Sequence, residues 1–466
     1  MKHTQTFLFT ICLILVLSII GATSLNAQKI KIPPYKKEVL DNGLTVLLME
    51  YHKLPLIELR MTTKGGTSYD PEGYDGLASL TAGLLRKGTT TRTATQISEE
   101  IDFIGGTLSA SAGPDYFAVA SEMLKKDFDK GFALFSDIIL HPAFAQEEIE
   151  RERSQMLAAI ERYKENPGMV TSIYFNKVVY GSHPYGRQSF GTVASLKKIT
   201  RDDIEKFYKE TFLANTSILA VVGDFDAKEM LAKVKSIFSG WVKKTPKAVK
   251  IEKPVAFKGR KVFILNKSDA TQTQVRIGNI GVERKNPDYF AITVANTILG
   301  GGFTSRLTEE IRVRRSLTYG VSSSFSSNLE GGTYLISTFT KNPTTREIID
   351  VALNEIKKFR DGGATQQELL KAQNYIAGGF SRSLQAPEAL AAQISDVEFY
   401  QFPGDYLETY IQKVKAVTLD DVKRVANKYF PYDDIIAVVL TPAKETRASL
   451  ESLGKVEEQE FQNAIN

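Results

Sequence analysis

The sequence predicts an α+β protein made of two homologous domains. Each is a mostly antiparallel sheet with helices packed on one face, and the two arose by duplication. Three observations predict this. Residues 199–204 read ITRDDI and residues 417–422 read VTLDDV, and the same offset aligns Phe212 with Phe430 and the apolar run Ile218–Val221 with Ile436–Val439. A second pair, Gln146-Glu147-Glu148-Ile149 and Gln366-Gln367-Glu368-Leu369, recurs at almost the same offset. Two independent matches at nearly one spacing point to duplication. Within each copy, strand-like alternation is followed by helical periodicity, the pattern of a sheet with its helices on one side.

The elements follow in order. Residues 44–50 and 56–63 read as paired strands, 76–86 and 93–104 as helices, 116–121 as a strand, and 127–140 and 145–164 as helices. In each ITRDDI-like segment a Thr precedes two Asp residues. This predicts a capped helix start with acids in its first turn, running on to an aromatic and a buried strand. A sheet clothed on one side leaves its other face, or an edge, for a neighbour.

Residues 1–27 stand apart. Lys2 precedes the uncharged apolar run Phe7–Ala22, and Leu25-Asn26-Ala27 offers small residues at a cleavage site before Gln28. This predicts a signal peptide and an exported chain, periplasmic where the source has two membranes, or membrane-anchored if the leader stays uncleaved. Cys12, the single cysteine, lies in that run, so the mature chain relies on its core and not on disulfides. The formal charge of +5 falls to +4 without Lys2, which excludes a strongly basic nucleic-acid binder. Lysines gather at 243, 244, 247, 250, 253, 258 and 261, with Arg260, around Pro246 and Pro254. We read 242–261 as a linker between an N-terminal domain (28–241) and a C-terminal domain (262–445). Residues 446–466 are polar and read as a frayed helical tail.

The run LDNGLTVLLMEYHKLPLIELRMTTKGGTSYDPEGYDGLASLTAGLLRKGT (40–89) resembles the N-terminal region of the pitrilysin/insulinase zinc peptidases, which include the mitochondrial processing peptidase. Active members carry HxxEH in the frame GLAHxxEHxxxKGT. The two His bind zinc and the Glu activates water, and a later Glu completes the metal site. Here Ser79 and Gly83 stand where the His residues belong, and Ala82 stands where the Glu belongs. The distal helix ERERSQMLAAIERYKENP (150–167) resembles the family's ERxVxLEEI pattern, with Ala158 and Ala159 in place of its carboxylates and Glu152 retained about two turns earlier. A catalytic zinc needs about three protein ligands. His3, His52, His141 and His183 show no metal-ligand spacing and read as loop or turn residues.

The stretch LGGGFTSRLTEEIRVRRSLTYG (299–320) resembles the family's C-terminal motif GGGxxSRLxxxLRExxGLxY, with Val313 in place of an acid and Ser316 in place of a Gly. It lacks the GK[ST] of a nucleotide loop. By the resemblance, Arg312 and Tyr319 are the pair that holds substrate across the cavity from the metal. A guanidinium fork suits a peptide carbonyl or carboxylate, and a phenol suits an oxyanion. The resemblance, over about residues 35–445, implies a substrate-binding, non-catalytic subunit that binds no cofactor of its own. Its partner would be a homologous subunit with intact HxxEH carrying the zinc, in a heterodimer acting on unfolded peptides. A silent scaffold subunit of a larger complex and a peptide-binding, chaperone-like homodimer are the alternatives. Arg312 and Tyr319 are expected to point into a cavity.

Overall fold

The structure, a computed structural model, describes residues 32–465. The first half runs β1 (Tyr35–Val39), β2 (Thr45–Glu50), β3 (Leu56–Lys64), α1 (Leu77–Leu84), α2 (Ala94–Phe103), β4 (Thr107–Ala112), β5 (Tyr116–Leu124), α3 (Phe128–Leu140), α4 (Gln146–Lys164), α5 (Pro167–Tyr180), α6 (Val193–Lys198), α7 (Arg201–Thr211), β6 (Ser217–Gly223) and α8 (Ala227–Phe238). The second runs β7 (Arg260–Asn266), β8 (Gln272–Ile280), α9 (Tyr289–Asn296), β9 (Val321–Phe325), β10 (Thr333–Lys341), α10 (Thr345–Gly362), α11 (Gln366–Ser383), α12 (Pro387–Phe399), α13 (Tyr406–Ala416), α14 (Leu419–Tyr429), β11 (Ile435–Thr441), α15 (Ala443–Leu450) and β12 (Lys455–Glu460).

The two sheets have one plan. Their strand orders are β1-β2-β6-β3-β5-β4 and β12-β7-β11-β8-β10-β9. In each, the central strand (β6 or β11) lies parallel to β2 or β7 and antiparallel to β3 or β8. The repeated helix start is a repeated capping box. Thr200 with Asp203, and Thr418 with Asp421, each exchange side-chain and backbone hydrogen bonds across the first turn. One apolar core lies between each sheet and its own helices, with Ile57, Leu59 and Met61 of β3 in the first and Val275 and Ile277 of β8 in the second.

The opposite sheet faces are not left to solvent. Helix α12 of the second half covers β3 and β6 of the first sheet, packing Leu390, Ala391, Ile394 and Val397 against Leu47, Met49, Ala220 and Val222. Reciprocally, α5 of the first half covers β8 and β11, packing Val170, Tyr174 and Phe175 against Phe263, Leu265, Ile436 and Val438. The neighbour that each open face calls for is thus the other half of the same chain. Arg276 on β8 pins the second of these contacts. Its Nε donates to Ser172 Oγ at 2.9 Å and an NH2 to the Gly168 carbonyl at 3.0 Å.

The frayed tail expected over 446–466 is a correction. Residues 443–450 are helical, and β12 pairs in parallel with β7, occupying the edge that β1 occupies in the first sheet. Ala464 and Ile465 are buried against the α5 cluster. The polar composition of β12 misleads because it is an edge strand with only one face to bury. The Lys-rich stretch carries no regular element from 242 to 259. Among the described residues no helix is long and apolar enough to cross a membrane, and the leader expected at 1–27 lies outside them.

Candidate functional site

Helix α1 is held from its N-terminal end. The Asp70 carboxylate accepts from the Gly76 and Ala78 N–H groups at 2.8 Å each. Burial pushes this carboxyl up to about 8, against those two donors and nearby Arg187. Gly76 takes φ +90°, and a Cβ there would lie 2.7 Å from the Gly191 Cα, so the entry to the helix requires glycine. Leu77, Ala78, Leu80, Thr81, Ala82 and Leu84 are buried, which leaves Ser79 and Gly83, one turn apart, on the half-open stripe.

Helix α4 runs against α1 and presents Glu152 to that stripe. A Cβ built on Gly83 would lie 2.7 Å from Glu152 Oε1. Glu152 Oε2 is buried without a hydrogen-bond partner, and Lys87 Nζ stands 3.5 Å from it. Ser79 Oγ donates to the Ser189 carbonyl at 2.5 Å. Ala82 is 1% exposed and belongs to the core. Ala159 lies half-buried on α4, seven residues past Glu152, which is about 10 Å along the axis.

These residues do not fit zinc. Ala82, Gly83 and Ala159 bring no donor atom, the Ser79 hydroxyl is committed to a carbonyl, and Glu152 is a single carboxylate with a lysine as its counter-charge. Among the described residues there is no group of three or more His, Cys, Asp or Glu side chains placed to hold a metal ion. The described histidines are engaged separately: His52 with Asp224, His141 with Asp137, and His183 with the Glu252 carbonyl.

In the second half, the glycine-rich segment continues α9 as a wide π-helical turn over Thr297–Gly301, and a second such turn spans Thr308–Arg314. Gly300 packs against β9, where a Cβ would meet Ser323 Oγ at 2.5 Å. Arg312 is half-buried, with its guanidinium 4.6 Å from the centre of the Phe303 ring, an aromatic that is itself 73% exposed. Arg314 and Arg315 pair with Glu309, Glu310 and Glu347, whereas Arg312 has no carboxylate partner among the described residues. Ser316, in the family's glycine position, adopts φ +53°.

The expectation that Tyr319 points into a cavity is corrected for this chain by itself. Tyr319 is 85% exposed on open surface just before β9. The nearby cleft of about 500 Å³, between residues 297–314 and α11, is lined by Phe303, Arg306, Lys371 and Tyr375 but by neither of the pair. A side chain on a short connection between a helical turn and an edge strand meets no opposing wall within its own chain. Sequence reading misses the bidentate Arg306–Glu368 pair in that cleft, with Nε–Oε1 at 2.6 Å and NH2–Oε2 at 2.8 Å. The SRL motif and the duplicated QQEL signal both residues, yet nothing local shows that they meet. It also gives no role to Lys87 beside Glu152.

A fold of two sheets in pseudo-symmetric halves, with a metal-helix frame in the first and a glycine-rich Arg/Tyr segment in the second, defines an insulinase-type peptidase architecture. Comparison with known proteins agrees. The profile described as "Insulinase (Peptidase family M16)" matches residues 45–193, and that described as "Peptidase M16 inactive domain" matches residues 198–376. The chain belongs to the M16 insulinase family. An "uncharacterized zinc protease" of Rickettsia bellii is 28% identical over 404 residues, spanning 86% of this chain and 96% of that protein. One of Streptomyces coelicolor is 26% identical over 422 residues, spanning 89% and 91%. Among solved structures, a peptidase M16 inactive domain from Pseudomonas fluorescens superposes with a TM-score of 0.82 at 28% identity, covering 88% of this chain and 98% of that one. A protease from Helicobacter pylori shares the fold with a TM-score of 0.81 at 23% identity, covering 88% and 100%.

Proposed function

We propose that this chain is the non-catalytic, substrate-binding subunit of a two-subunit zinc metalloendopeptidase acting on unfolded peptides. The observation that carries the reading is an asymmetry. The metal positions Ser79, Ala82, Gly83 and Ala159 offer no ligand set, while on the other half Arg312, half-buried over Phe303, has no carboxylate partner among the described residues and Tyr319 keeps an exposed phenol. A lone pair of donors on open surface does little work by itself. It becomes useful when a homologous subunit closes over it and excludes water. The zinc then belongs to that partner, through an intact HxxEH helix, and the pair forms a heterodimer. With the leader removed, the assembly works outside the cytoplasm.

Arg312 acts on groups present in the bound peptide, so its loss falls on binding. The Tyr319 hydroxyl donates to a carbonyl oxygen as it gains charge, so its loss falls on turnover. The test is reconstitution of the mature chain with a homologous HxxEH subunit and an unfolded peptide. Expected are no cleavage by this chain alone, cleavage by the pair, a raised KM in Arg312→Ala and a kcat about 100-fold lower in Tyr319→Phe. If the double variant supports the wild-type rate, the pair does not serve catalysis and a scaffold role replaces the proposal. Chelator-sensitive cleavage by the isolated chain defeats it outright.

A further inference from the structure

The two exchanged helices are not chemically equivalent. On the first sheet, the face under α12 carries Glu58, Arg60 and Thr62 on β3, beside Val222 and Ala220 of β6. Glu58 is 2% exposed, and its Oε1 has no hydrogen-bond partner. Directly opposite it on β5 stands Glu122. A third carboxylate, Glu388, comes from the first turn of α12 itself. The matching positions under α5 are neutral. Gln274 replaces Glu58, Phe339 stands directly opposite it, and Gly168 occupies the second residue of the covering helix where α12 has Glu388. Only the arginines correspond, Arg60 on β3 with Arg276 at the same place on β8.

We propose that the seal between α12 and the first sheet is a proton-dependent latch: with Glu58 protonated α12 lies down on β3 and β6, and loss of that proton loosens α12 while α5 stays seated. Three carboxylates converge where the covering helix is supplied by the other half of the chain. One of them is sealed from water with an unpaired oxygen, and an ionised carboxylate in that position is opposed by Glu122 across the strand pair. Every charged group facing Glu58 is accounted for: Glu122 from β5, Glu388 from α12 and Arg60 from its own strand, with β6 presenting only apolar side chains. Burial first, and then Glu122 and Glu388, push its carboxyl up to about 8 against Arg60. When α12 lifts, Glu58 returns to water and to an ordinary value near 4.5. Closing therefore takes up the Glu58 proton between those limits. The closed form is strongest at low pH, weakens as pH rises through the window, and levels off above about 8. Asp396, further along α12, is also pushed up by burial, but it faces Arg284 and Arg60.

Amide hydrogen exchange of the full chain tests this, read separately for α12 and α5 from pH 5 to 8 and corrected for the intrinsic rate. The open fraction of α12 is expected to rise with pH, approaching about tenfold per unit in mid-window, as one linked proton requires. Helix α5 serves as an internal reference and is expected to stay flat. Glu58→Gln, which installs the residue of the other half, is expected to remove most of the rise, the remainder belonging to Asp396, whose carboxyl burial under α12 also pushes up. Glu122→Gln is expected to move the window to lower pH, and it keeps the test alive should Glu58→Gln fold poorly. A rise undiminished in Glu58→Gln, an equal rise in α5, or an unmoved window in Glu122→Gln overturns the proposal.

Discussion

The Arg306–Glu368 pair joins the glycine-rich segment to α11, and its removal is a quantitative test of what holds that segment in place. Glu368 closes the capping box of α11 through the Thr365 N–H at 2.8 Å, and receives both arms of Arg306, whose guanidinium also lies 5.0 Å over the Phe359 ring. Burial works to raise the Glu368 carboxyl, but Arg306 and Thr365 outweigh it and hold the group down at about 2, against an ordinary 4.5. At 1.36 kcal/mol per unit that is roughly 3 kcal/mol. Glu368 is 30% exposed and shares its stabilisation with Thr365, so Arg306 accounts for about 1.5 kcal/mol after screening. Arg306→Met keeps the contact with Phe359, and Glu368→Gln keeps the capping box, so the two single variants and the double variant form a clean cycle. Urea unfolding followed by far-UV circular dichroism is expected to give a coupling of about 1.5 kcal/mol at pH 7. A carboxyl held down in the folded state contributes stability that is complete above pH 4.5 and is lost as pH falls toward 2. The wild type is therefore expected to lose more stability over that window than Arg306→Met. Additive losses within about 0.3 kcal/mol, or identical acid profiles, refute the reasoning.

Ser316→Gly relieves a left-handed backbone at φ +53° and is expected to raise stability by about 1 kcal/mol, seen as a higher Tm; an unchanged or lower Tm counts against it. Gly83→His is expected to lower Tm because the new side chain meets Glu152 Oε1, and Glu152→Ala in the same chain is expected to recover the loss. Ala82→Glu sets a carboxylate in a core position 1% exposed and is expected to cost about 3 kcal/mol or more, so calorimetry on that variant alone shows whether the frame tolerates a restored catalytic carboxylate. Ending the chain at Gly454 removes β12 and leaves β7 as a bare edge. Concentration-dependent association by light scattering is expected, and a monomer of unchanged Tm contradicts the role given to β12.

Much of the fold is written locally. Alternation places β2 and β3 within a residue of where they lie, but the pairing expected between them is corrected, because β6, far along the chain, lies between the two. The Thr-Xaa-Asp-Asp starts of α7 and α14 mark both boundary and repeat, because a capping box is decided by residues three apart. Helices α5 and α12 give weaker signals, since each packs on a sheet that is far away in sequence. Strand β12 is hard to read because its partner β7 opens the half that β12 closes, and its composition suits solvent. At the site, the positions of Ser79 and Gly83 on one half-open stripe are legible from helical spacing alone. The contact of Glu152 with Gly83 is not, because it depends on how α4 lies across α1. Nor is the exposure of Tyr319, since the length of a turn does not say what stands in front of it.

The exchange of α5 and α12 also bears on how the chain reaches its folded state. The first sheet is complete once Gly223 has been made, but its second face has no cover until α12 arrives, and Pro387 follows only after most of the second half. At a synthesis rate of roughly 5–20 residues per second this is an interval of about ten to thirty seconds. During it Leu47, Met49, Ala220 and Val222 present a sticky apolar surface on an otherwise finished sheet. The same wait applies in reverse to α5, an early helix whose docking surface is made last, with β11. Each half therefore finishes its second face only when the other half supplies a helix to it.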